Sequence, residues 1–145
     1  MPCFDSIVYE PQINQAIQAM EDRARALGIT HGVGIAYVQT KGAKPEVRVC
    51  VIDSIDREVN PDKPDDWPTN YMGIAWSKLA YSFRTGLSSG EPNKFKLKRG
   101  ESEFMGCRVL NLPNGKAFFF FSGDTEDKDV QVSLAGIDAF LPFRL

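Results

Sequence analysis

Apolar residues recur at helical spacing in three stretches of the chain, and alternate or run unbroken in shorter stretches between them. The first helical stretch puts Ile13, Ala16, Ile17, Met20, Ala24 and Leu27 on one face. Pro11 suits its first turn and Gly28 its stop. Residues 31–39 and 46–53 read as two strands joined by a turn at 41–45, the second alternating through Val47, Val49 and Val51. Helical spacing returns over 71–85 with Met72, Ala75, Leu79 and Phe83, and Gly86 stands where a C-cap belongs. Residues 107–112 and 116–122 form a second hairpin around Pro113, Asn114 and Gly115. The run Phe118 to Phe121 has no alternation, which predicts a strand covered on both faces. It stops at Ser122 and Gly123, and acidic residues then open a last helix marked by Val130, Leu134, Ile137 and Leu141.

The predicted order is α-β-β-α-β-β-α. Short turns join each strand pair, so the sheet should be antiparallel with helices packed on it, an α+β fold. Two segments stand outside this scheme. Residues 54–70 carry Pro61, Pro64 and Pro68 among many acidic groups, too long and polar for a routine connection; they read as a lid, an interface arm or a mobile excursion. Lys94, Lys96, Lys98 and Arg99 alternate with Phe95 and Leu97, as in a sheet-edge strand with its lysines outward.

Composition narrows the classes of function. The 145 residues fit one domain spanning 1–145, and a net charge of −2 gives no general attraction to nucleic acid or anionic membranes. No apolar run reaches the roughly 18 residues of a membrane span, and no signal-peptide pattern opens the chain. Cys3, Cys50 and Cys107 are odd in number and far apart, unlike a disulfide framework or a zinc site. Read as reduced, partly buried thiols, they place the protein in the cytoplasm.

The ending Phe121-Ser-Gly-Asp-Thr-Glu-Asp-Lys-Asp129 with Ala135-Gly-Ile-Asp-Ala139 resembles the C-terminal signature of the GlcG/HbpS haem-binding, or haem-degrading-domain, family. The stretch Ile74-Ala-Trp-Ser-Lys-Leu-Ala80 resembles that family's Ala-x-x-Lys-Ala helix, with Lys78 on its lysine. One branch of the family is the C-terminal domain of PduO-type proteins. The resemblance implies a profilin-like fold, a homo-oligomer and a small-molecule ligand, haem in some members. The chain departs from the family at 39–42 and in the 54–70 insertion, and has Met105-Gly106 where a Gly-Gly is usual.

Candidate chemistry gathers in few places. His31 is the only histidine, which excludes a site built from several; alone it could ligate haem iron, with Gly32 and Gly34 letting a flat ligand approach, or be a surface strand-start residue. Tyr37, Met72, Ser122 and Gly123 are further ligand-binding candidates. The turn Ser122 to Thr125 can present N–H groups to an anion, although Asp124, Glu126, Asp127 and Asp129, read as exposed caps, would repel one. Lys78 and Tyr81 could act as acid or base on a small organic substrate in an apolar pocket, an isomerase- or cyclase-like alternative to simple binding.

Overall fold

The computed structural model describes residues 9–89, 96–102 and 106–141. Helix α1 (Glu10–Ala26) has proline in its first turn, and Gly28 takes the left-handed φ of 76° that ends it. Strands β1 (Gly32–Thr40) and β2 (Glu46–Ile52) follow. Two short strands, β3 (Asp56–Arg57) and β4 (Thr69–Asn70), lie within the 54–70 segment and add to the predicted order. Helix α2 (Tyr71–Thr85) begins on Asn70, whose side chain accepts from Gly73 N–H, and ends on Gly86 at φ 75°. Strands β5 (Cys107–Leu112) and β6 (Gly115–Ser122) and helix α3 (Glu126–Phe140) complete the chain.

The main sheet is antiparallel, in the order β2-β1-β6-β5. Its centre explains the four consecutive phenylalanines. Side chains on a strand alternate between faces, and here each face has its own cover. Phe119 and Phe121 join the cluster of Ile13, Met20 and Phe140 from α1 and α3. Phe118 and Phe120 join Tyr71, Ala75 and Leu79 of α2. The expected α+β architecture, an antiparallel sheet flanked by helices, is therefore found.

Two local expectations change, and the 54–70 segment acquires an anchor. Leu134 is 44% exposed, because α3 turns Val130, Val132, Ser133, Gly136 and Phe140 inward instead. A Cβ at Gly136 would sit 2.8 Å from Met20 Sδ, so glycine permits the close crossing of α1 and α3. The predicted edge strand is absent from the described part of the basic cluster: residues 96–102 turn instead, with Arg84 paired to Glu101 and donating to the Lys96 carbonyl. Lys94 and Phe95 lie outside the described residues. The 54–70 segment is organised around Arg57, which grips both Asp66 oxygens at 2.7 and 3.1 Å and also donates to the Trp67 carbonyl and the Thr69 hydroxyl.

Cys50 and Cys107 are buried free thiols, which burial pushes up to about 11 and about 12, so neither is primed as a thiolate. Cys3 lies outside the described residues. Among the described residues no helix is long and apolar enough to cross a membrane.

This packing separates two kinds of damage. Phe120→Ala should cost about 3–5 kcal/mol in urea unfolding, since both the ring and its packing are lost. Arg57→Ala should leave that transition nearly unmoved while speeding proteolytic cleavage within residues 58–66.

Candidate functional site

Strand β5 pairs with β6 only as far as Cys107 opposite Phe120. One residue further on, Phe121 N–H still reaches the Gly106 carbonyl at 3.1 Å, but the Phe121 carbonyl accepts from Lys78 Nζ at 2.8 Å instead. Lys78 comes from the middle of α2 and is 2% exposed. Its second partner is Asp129 Oδ2 on the first turn of α3, at 3.2 Å. The other carboxylate oxygen accepts from Asp124 N–H at 3.1 Å, which ties the turn after β6 to the helix that follows it. Ser133, one turn further along α3, donates to the Gly106 carbonyl.

Gly106 makes this junction possible. Its φ is +130°, and a Cβ there would lie 2.6 Å from Lys78 Nζ and 2.8 Å from the Phe121 carbonyl oxygen. The ammonium thus occupies the space a side chain would take. Gly123 is constrained similarly, its missing Cβ directed at the His31 carbonyl and at Gly32 Cα.

Above the pair opens a cleft of about 350 Å³, walled by Thr69, Tyr71 and Ile74 on one side and by residues 122–126 on the other. Lys78 and Asp129 also line it. Thr125 caps α3 by accepting from Lys128 N–H, and Asp124 Oδ1 accepts from Thr125 N–H. The expectation that Asp129 is one of several exposed capping acids is therefore corrected. It is 3% exposed and opposed by a buried cation, so it adds little to the repulsion of an anion.

The electrostatics follow from burial. Loss of water pushes the Asp129 carboxyl up to about 6, against the pull of Lys78 and of the Asp124 N–H. Burial likewise pushes the Lys78 ammonium below its ordinary value, with Asp129 opposing the shift. Both groups are thus easier to neutralise than exposed ones.

The predicted site residues divide. Ser122, Gly123 and Lys78 meet at the cleft. Tyr81 is fully buried and lies outside its lining. Met72 packs partly buried against the α2 cluster. Tyr37 sits further along β1, edge-on to Phe83 and Phe118. His31 is behind the turn, its ring 36% exposed, with Nε2 3.1 Å from Asp53 Oδ2 and Nδ1 3.1 Å from the Thr30 hydroxyl. The room expected beside it at Gly32 and Gly34 is filled by the Phe121 ring, the Ser122 carbonyl and Cys50 Sγ. Met105 lies outside the described residues. Sequence reasoning missed the role of Asp129, although its place in the Ser-Gly signature and the matching Lys78 were both visible.

No protein-family model and no curated protein matches the sequence. Solved structures do. The Ybr137w protein is 15% identical over all of this chain and 91% of its own, with a TM-score of 0.56. The PduOC:heme complex is 14% identical, covering 89% of this chain and 91% of that one, with a TM-score of 0.54. HbpS is 16% identical, covering 90% and 87%, with a TM-score of 0.51. The chain has the fold of HbpS and PduOC. At this identity the likeness concerns backbone architecture, and it agrees with the family resemblance in the sequence.

The buried pair yields two expectations. Lys78→Met alone should cost about 3–5 kcal/mol, because it strands the carboxylate, whereas Lys78→Met with Asp129→Leu should be neutral or gain about 1–4 kcal/mol in urea unfolding. An aspartate whose native pKa exceeds its unfolded value, about 3.9, holds its proton more tightly when folded. Native stability should therefore fall, relative to Asp129→Asn, as pH rises from about 4 through about 6.

Proposed function

We propose that the protein binds a small organic molecule in the cleft between the start of α2 and the turn joining β6 to α3. The observation that carries this reading is the cleft itself: apolar walls at Tyr71 and Ile74, the Ser122 to Thr125 turn facing them, and an ion pair at its base. Ligand sites commonly combine mostly apolar walls with a few convergent polar groups. The haem complex of PduOC supports a ligand-binding role for the fold.

The cleft lining is a poor fit for axially ligated haem. Among the described lining residues there is no His, Cys or Met, the side chains that most often ligate haem iron. His31 would have to bind iron outside the cleft. The ligand favoured by these walls is smaller than a porphyrin.

An enzyme acting on a small organic substrate is the second reading. The Lys78–Asp129 pair favours it, since a desolvated amine and carboxyl at the base of a cleft can exchange a proton. Tyr81, outside the lining, has no part in it.

Amide NMR of the protein against a small-molecule library should give shifts concentrated at Ile74 and Gly123–Thr125; shifts scattered over α1, or none, would remove the reading. Haemin added to the same protein should give no shifted Soret band that His31→Ala abolishes. A His31-dependent band would instead restore haem as the ligand.

A further inference from the structure

A lysine amine lining a cleft has a use beyond holding the fold together. Lys78 Nζ has three hydrogens, and the structure gives it two acceptors, the Phe121 carbonyl and Asp129 Oδ2. It borders the cleft, and the carboxyl beside it is buried with it. Amines in apolar surroundings serve as nucleophiles toward carbonyl groups because desolvation disfavours the unreactive ammonium form.

We propose that Lys78 forms an imine with a small, neutral aldehyde or ketone bound in the cleft, with Asp129 as the proton carrier. The proposal rests on the ligand-binding reading above and names the chemical class of the ligand. Neutrality follows from the lining of the site, where Asp124 and Glu126 stand in the turn and at the start of α3 and disfavour an anionic oxo acid. The apolar walls, Tyr71 and Ile74, suit an alkyl or aryl group on the carbonyl.

The step balances within the site. One ammonium proton passes from Lys78 to Asp129, freeing the nitrogen lone pair. The nitrogen–carbon bond forms as the carbonyl π pair moves to oxygen. That oxygen then takes one proton from nitrogen and one from Asp129, and leaves as water. The product iminium keeps one N–H and one positive charge, still opposite the Asp129 carboxylate. The site begins and ends with the same net charge, so no buried charge is created or orphaned.

The test treats the folded protein with propanal and sodium cyanoborohydride, which reduces an iminium to a stable amine, and maps the adduct by peptide mass. Lys78 should be labelled at least tenfold faster than the exposed lysines Lys41 and Lys63, and propanal should label it in preference to pyruvate. Ile74→Trp, which fills the cleft and leaves the ion pair in place, should abolish labelling of Lys78 while Lys41 and Lys63 react as before. Labelling of Lys78 no faster than that of Lys41, or unchanged in Ile74→Trp, would overturn the proposal. Propanal-induced amide shifts at Gly123–Thr125 without an adduct would also overturn it, yet leave the ligand-binding reading standing. An absence of cleft shifts with the whole small-molecule library is the separate result that removes that reading.

Discussion

The Lys78–Asp129 pair is the constraint on which the junction of three elements depends. It joins α2 to α3, and through the Phe121 carbonyl it joins both to the central strand β6. A buried ion pair is not in itself strong evidence of stabilisation, because desolvation of two charges offsets their attraction. What the pair does is fix position. Lys78 occupies the place where β5 no longer pairs with β6, Gly106 yields the space, and Asp129 holds the turn through Asp124 N–H. Each of these residues is explained by the others.

The sheet supplies the rigid floor for this junction. Phe118 to Phe121 are buried on two faces, anchored by α2 on one side and by α1 and α3 on the other. Because β6 is central, its C-terminal end is well positioned, and Ser122 and Gly123 inherit that position as they leave the sheet. Gly123 presses so close to His31 and Gly32 that the turn has little freedom on its β1 side. The opposite side is the cleft. The 54–70 segment reaches its rim through Thr69, and the Arg57–Asp66 clamp ties together a stretch whose composition suggested a lid, an interface arm or a mobile excursion.

Local chemistry made most of the fold legible in the sequence. Gly28 and Gly86 marked helix ends, Pro113-Asn-Gly115 marked a hairpin, and the unbroken phenylalanine run marked a strand covered twice. Leu134 misled because helical spacing specifies an apolar stripe without saying how the helix is rotated against its neighbours, and the close approach of Gly136 to Met20 decided that. Lys78, Ser122 and Gly123, singled out in the sequence, line one cleft, but Asp129 was hidden among the acids at 124–129, whose ordinary role is capping. Only the packing of α2 beneath that turn distinguishes it. His31 drew attention as the sole histidine, yet its ring turns to Asp53 and away from the cleft.

Lys78 is a desolvated amine at the floor of the cleft, held by Asp129 and the Phe121 carbonyl. The most direct test is an NMR titration of the lysine side-chain nitrogens in the intact protein. Lys78 Nζ should exchange slowly with water and titrate below the ordinary lysine value of about 10.4, apart from the other lysines. A Lys78 that exchanges rapidly with water and titrates at the ordinary lysine value would contradict it.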